Sequence, residues 1–173
     1  YEGQLDCPEK VESILLEGIK KAGHASILYV RLGDWYMEQE QPEKAETQYK
    51  KAIAQDETDV FAHLGMAYVW VQNGQDDKAK QYLFDKKQLF AQNSEFLLNA
   101  GKMLFTNGLV AASEDHDVAF SFLEDGLRFA QFDAAEAYEF YIERLIDHSL
   151  VERGITFLQK LVVERPTDIN ALC

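Results

Sequence analysis

Apolar residues along this chain recur every three or four positions, segment after segment. In "ASILYVRLGDWYMEQ" (25–39), Leu28, Leu32, Trp35 and Tyr36 fall on one stripe, with Arg31, Asp34 and Glu38 elsewhere. That spacing predicts an amphipathic helix. "PEKAETQYKKAIAQ" (42–55) sets Ala45, Tyr49, Ala52 and Ile53 at the same spacing. Further helices are predicted over 60–73, 76–91, 94–107, 117–130, 134–148 and 150–164. No stretch alternates apolar and polar residues between tight turns, so no strand is expected.

The punctuation repeats as well. Pro8, Glu9, Lys10, Glu12 and Ile19 return 34 residues later as Pro42, Glu43, Lys44, Glu46 and Ile53. Proline suits the first turn of a helix, where its missing N–H costs nothing, and glutamate suits the positive end of the helix dipole. Pro166 suits the position just past a helix end. Gly74 and Gly108 close their segments, and Ser94 is the expected N-cap of the helix that follows it. The same helical hairpin is being spelled at each period.

The residues inside each period carry a resemblance. Tyr29, Leu32, Gly33, Tyr36, Ala45 and Tyr49 follow the order aromatic, Leu-Gly, Tyr, Ala, aromatic of the tetratricopeptide repeat. His63, Met66, Ala67, Trp70, Ala79 and Leu83 repeat it more loosely. Leu97, Ala100, Gly101 and Leu104, resumed at Ala119 and Leu123, form a third copy. Tyr138, Tyr141, Leu145, Gly154, Leu158 and Pro166 form a fourth. The chain thus resembles the tetratricopeptide family over nearly its whole length. The resemblance implies an all-α fold, a right-handed α-solenoid of antiparallel helix hairpins, in which stacked neighbours bury faces that no hairpin can bury alone.

On that reading residues 1–173 are one repeat domain. It has a half-repeat at 7–24 and repeats at 26–59, 60–93, 94–133 and 134–168, with an insert at 109–117 and the truncated start of a further copy at 169–173. Small residues (Gly33, Ala67, Gly101) are expected to let paired helices approach, opposite Ala45 and Ala79. Spacing favours Ala67 over Gly65 as the small residue of the second copy, which puts Leu64 and Tyr68 on the open face of that helix. Three positions depart from the pattern: Ile142 occupies a small-residue position, Lys86 falls where Ala52 sits one period earlier, and the third copy carries six extra residues.

The resemblance also implies a concave groove lined by the first helix of each hairpin. Carried over by spacing, its lining would be Ile27, Val30, Asp34 and Met37, then Phe61, Leu64, Tyr68 and Val71, then Leu98, Lys102 and Phe105, and finally Glu136, Glu139, Glu143 and Asp147. This is an apolar trough with an acidic end. Each apolar member fits inter-helix core as well as groove, because a stripe at helical spacing has two readings. Phe61 and Tyr68 favour groove, since Ala67 and Trp70 take the inward face.

Charge narrows the partners. The chain has 17 basic and 30 acidic residues, a formal net charge of −13 and a pI near 4.7. Nucleic-acid backbones and anionic membrane surfaces are repelled by such a chain, so a protein or peptide with apolar anchors and basic flanks is expected, and nucleic acid is not. No apolar run is long enough to span a membrane. The two cysteines, Cys7 and Cys173, offer neither a disulfide framework nor a zinc spacing and read as ordinary thiols. With no initiator Met and no signal peptide, the chain reads as an excised fragment or processed product. Its compartment and oligomeric state are not fixed by the sequence; the cytoplasm is favoured over the periplasm.

Catalytic chemistry has little to stand on. "SEDHD" (113–117) offers Glu114, Asp115 and Asp117 with His116 nearby, but adjacent residues in a loop converge poorly on a cation, so it reads as a solvated acidic insert and no metal or cofactor is expected. Glu139 and Glu143 sit one turn apart on a face shared with other carboxylates, which reads as a charge stripe rather than a catalytic pair. His24, His63, His116 and His148 lie in no nucleophile motif. The expectation is a non-enzymatic binding scaffold. The alternatives are an escort chaperone for an apolar client segment and a regulatory or localising module of a larger enzyme.

Overall fold

The computed structural model describes residues 8–23, 25–110, 113–130 and 134–165. Readings placed on Cys7, His24, Pro166, Cys173 and 169–173 lie outside these residues. Among the described residues there are nine helices and no strand: α1 Pro8–Ala22, α2 Ser26–Glu38, α3 Pro42–Gln55, α4 Val60–Gln72, α5 Asp76–Lys86, α6 Ser94–Thr106, α7 Ser113–Phe129, α8 Ala135–Asp147 and α9 Val151–Glu164. Residues 1–82 and 83–173 form two compact units, the division falling within α5.

Helix starts follow local chemistry. Pro8 and Pro42 open α1 and α3 at the position where no backbone N–H is needed. The Asp59 carboxylate accepts the Ala62 N–H at 3.0 Å and caps α4. The cap of α6 is Asn93, not Ser94: the Asn93 Oδ1 accepts the Phe96 N–H at 2.8 Å, and Ser94 is already helical. Two other boundaries differ from the periodicity. Helix α5 ends at Lys86, and residues 87–92 continue as turns. Helix α7 begins at Ser113, so the latter part of the expected insert is helix rather than loop, and Leu109 and Val110 before it are buried. An apolar pair at 109–110 draws the connection inward, which a charge-based reading of 113–117 could not show.

Four hairpins turn in the same way. After α2, α4, α6 and α8 a residue adopts left-handed backbone: Glu40, Gly74, Gly108 and Ser149, with φ of 56°, 66°, 65° and 58°. Each donates its N–H three residues back, and the next residue donates five residues back: Gln41 to Tyr36, Gln75 to Trp70, Leu109 to Leu104, and Leu150 to Leu145, at 2.8–3.0 Å. This pairing satisfies carbonyls that a helix end otherwise leaves open. Two of the four positions lack glycine, the residue that adopts this backbone most readily.

In the first unit α2 packs against α1, α3 and α4, and α3 packs against α4. Tyr49 on α3 is the wedge. A Cβ built at Gly33 or at Gly65 would lie 2.6 Å from the Tyr49 ring, so both glycines are required for α2 and α4 to close on it. The space at Gly33 is therefore filled by Tyr49, and Gly65, which spacing had set aside, is a second contact point of the same ring. Ala45, Ala52, Ala67 and Ala79 are fully buried.

In the second unit α6 packs on α7, α7 on α8, and α8 on α9. Phe120, Leu123, Leu127, Tyr138, Tyr141, Leu145, Phe157 and Leu161 form one buried cluster. Gly101 faces Leu123, Gly126 faces Leu98, and Gly154 faces Leu145. Ile142 is exposed, and the close approach of α9 to α8 is made at Gly154. Lys86 is half-buried.

Candidate functional site

The first unit leaves a narrow open strip on its first helices. On α2, Ile27 is 50% exposed, while Val30 is 2% exposed and belongs to the core. Val30 was expected in the groove; with three helices packed around α2, its buried arc is wider than a paired helix needs. On α4, Phe61 and Tyr68 are 50% and 42% exposed, whereas Leu64 between them is only 9% exposed. Leu64 is thus also core rather than open face, because α4 buries most of its surface against α2, α3 and Tyr82 of α5. Met37 and Val71 are half-buried.

Asp34 is partly committed to the fold. Its Oδ1 accepts the Tyr49 hydroxyl at 2.8 Å, and its other oxygen lies 3.7 Å from Arg31. Burial first, and the Asp34 carboxylate second, push the Tyr49 phenol well above its usual range. Tyr36 is pushed up to about 12 in the same manner, by burial and then by Glu12, to which it donates at 2.5 Å. His63, buried on α4, has Nε2 3.0 Å from the Glu57 carbonyl and Nδ1 2.5 Å from the Tyr82 hydroxyl. A carbonyl only accepts, so Nε2 carries the hydrogen and Nδ1 of the neutral ring accepts from Tyr82. This histidine is a core tie.

The second unit has a cleft of about 270 Å³ lined by Leu98, Asn99 and Lys102 of α6 together with Ala130, Glu136 and Ala137. Its lining mixes leucine and alanine with one cation, Lys102, and two carboxylates, Glu95 and Glu136. Lys102 lies with Nζ 6.0 Å above the Phe140 ring, and Leu98 is half-buried on Gly126. Phe105 is not an open trough residue. It is half-buried and packs among His116, Phe120, Phe140 and His148, with ring centroids 4.9–6.4 Å apart. On α8, Glu136, Glu139, Glu143 and Asp147 are all exposed, but Arg144 offsets the last two, 2.9 Å from Asp147 and 3.7 Å from Glu143.

Several functional-looking groups prove structural, and sequence reasoning missed their partners. Arg153 on α9 bonds Glu124 through Nε at 2.6 Å and Nη2 at 3.0 Å, and Asp117 at 2.6 Å. Tyr141 donates to the same Glu124 at 3.0 Å. Asp117, read as part of a solvated insert, is therefore an ion-pair partner. Lys87 pairs with Asp125 at 2.6 Å, and Arg128 with Glu164 at 3.1 Å. A usable signal existed: these partners lie roughly one repeat apart, at separations of 29 to 38 residues. No group of three or more His, Cys, Asp or Glu able to hold a metal is found among the described residues. None of their helices is long and apolar enough to cross a membrane.

A tetratricopeptide-repeat family model matches residues 36–97, from the end of α2 through α3, α4 and α5 into α6. No curated protein matches the chain. Among solved structures, MamA aligns with a TM-score of 0.58 at 16% identity, over 92% of this chain and 89% of that one. YrrB, described as a TPR protein with an unusual peptide-binding site, aligns with a TM-score of 0.53 at 19% identity, over 95% of this chain and 81% of its own. At these identities the likeness is one of fold. It agrees with an all-α, helical-repeat architecture beyond the tetratricopeptide stretch itself.

Proposed function

We propose that this protein is a non-enzymatic interaction scaffold. Its partner is a peptide or helical segment that seats apolar side chains on the open strips of the first helices and carries basic flanks. The observation that carries the reading is Phe61 with Tyr68. Two aromatic side chains two turns apart on α4 stay open, while the rest of that helix is nearly all buried. Exposed aromatics grouped in this way are typical binding anchors. The tetratricopeptide match over 36–97 includes both residues and supports a protein-interaction role. YrrB, a peptide-binding protein of the same fold, supports a peptide as the class of partner. Basic flanks follow from the net charge of −13.

The test is calorimetry with synthetic peptides that share an aromatic or aliphatic anchor and differ in flanking charge. Lysine- and arginine-flanked peptides should bind, and peptides ending in acidic C-termini should not, because Asp34 and the net charge of −13 oppose a further carboxylate. Tyr68→Ala should weaken binding by about 2 kcal/mol, roughly thirtyfold, at any ionic strength. Glu139→Lys with Glu143→Lys should slow association mainly at low salt. Equal affinity for acidic flanks would sink the reading. So would a Tyr68→Ala variant that unfolds, since Tyr68 would then be core.

A further inference from the structure

One cluster in the second unit is unlike the rest of the molecule. His116, in the first turn of α7, and His148, the C-terminal cap of α8, face each other with ring centroids 4.2 Å apart. Around them stand Phe105 of α6, 5.6 Å from the His148 ring and 6.3 Å from the His116 ring, and Phe120 of α7, edge-on to His148 at 5.9 Å. The His116 Nε2 donates to the Val110 carbonyl at 2.8 Å, which fixes the tautomer and leaves Nδ1 bare in the neutral ring. The pair thus ties the α6–α7 connection, the start of α7 and the end of α8 into one junction.

We propose that His116 and His148 form a pH-sensitive latch at the α6–α7–α8 junction, closed while at most one ring is charged and opened when both are. The latch needs no partner and stands apart from the binding role above. Two imidazolium rings in contact repel each other, and because both side chains are half-buried among Phe105 and Phe120, solvent screens that repulsion only in part. The neighbouring charges are of both signs. On α8, Asp147 favours a charged His148, but it is paired with Arg144, which opposes one. On α7 the carboxylates nearest in sequence are Asp115 and Asp117, and Asp117 is paired with Arg153 of α9, whose guanidinium lies over Phe120 at 5.2 Å. On α6 the nearby cation is Lys102, over Phe140.

Burial, and then the His116 ring, hold His148 below its ordinary value of 6.5. The sign follows. As pH falls below about 6.5 the unfolded chain takes up this proton first. The closed junction is fully stable above that pH and loses stability as pH falls towards the folded-state values. Opening would release Phe105 and Phe120 from their histidine contacts.

The experiment is a residue-resolved NMR titration of the histidine rings in the full chain, from about pH 8 to about pH 5. The expected result is two coupled steps, the second proton bound at least about tenfold more weakly than the first. The ring signals of Phe105 and Phe120 should move with the second step. In His116→Gln, which keeps a donor for the Val110 carbonyl, His148 should titrate in one step at a raised pKa, and the movement at Phe105 should vanish. The wild-type curve decides by itself. Independent titrations near 6.5 without change at Phe105 overturn the latch, as does an equally low His148 pKa in His116→Gln.

Discussion

The two units use one hairpin grammar and hold it together differently. In the first, a single ring does most of the joining: Tyr49 is received by Gly33 on α2 and Gly65 on α4, and its hydroxyl is held by Asp34. In the second, small residues again mark close approaches, at Gly101, Gly126 and Gly154, but each faces a leucine. Ion pairs between segments one repeat apart, Arg153 with Glu124 and Asp117 and Lys87, in the turn after α5, with Asp125, bear on the same contacts. The hairpin turns show where the difference arises. They fall at residues 40, 74, 108 and 149, so the interval holds at 34 and then grows to 41. A longer interval lengthens α7 to 17 residues and brings its acidic start within reach of α9. The lesson is that a repeat tolerates extra residues when they extend a helix and find partners one period on.

The comparison can be broken most directly at Tyr49. Tyr49→Ala removes a buried ring from the first unit and should cost about 3–5 kcal/mol. Amide hydrogen exchange should localise the loss to α2, α3 and α4; a cost below about 1 kcal/mol would show that the two glycines do not depend on this ring. Next in size is Arg153→Met in the second unit. It leaves the mostly buried Glu124 with only the Tyr141 hydroxyl, and should cost about 1.5–3 kcal/mol by denaturant unfolding. Pairing it with Glu124→Leu should recover part of that loss, because the stranded charge goes too. If Arg153→Met is neutral, the ion pairs are surface decoration and the units differ less than their geometry indicates.

The smallest effects should be the same in both units. Glu40→Gly and Ser149→Gly relieve left-handed backbone at a non-glycine residue and should each stabilise by about 0.5–1 kcal/mol. Gly74→Ala and Gly108→Ala should destabilise by a similar amount, although a Cβ at either would meet nothing. Thermal midpoints of the four variants test this. A response confined to one unit would mean that the turns are not equivalent.

Local and periodic features were legible in the sequence. The helix starts at Pro42 and Pro8, the turn glycines at 74 and 108, and the buried alanines at 45, 52 and 79 each follow from a preference that acts within a few residues or one helical face. The candidate surface was legible in part. Phe61, Tyr68 and Ile27 are open, and the α8 carboxylates are solvated. Val30 and Leu64 share their periodicity but are core, because the width of a buried arc depends on how many helices pack around it. Phe105 and Asp34 have the residue types of a groove and are engaged by neighbours instead, by two histidines and by a tyrosine hydroxyl.

The sequence by itself determined that this protein is a series of helical hairpins, where most of them begin and turn, and that its surface is acidic. Those follow from spacing, proline and glycine stereochemistry, and the excess of carboxylates over cations. Tertiary structure alone decided which small residue receives which large one, which charges are spent on each other, and that two histidines 32 positions apart meet as rings. Each of those is a contact between different helices. Spacing along one helix fixes the direction of a side chain, but only the approach of a second helix fixes what it touches.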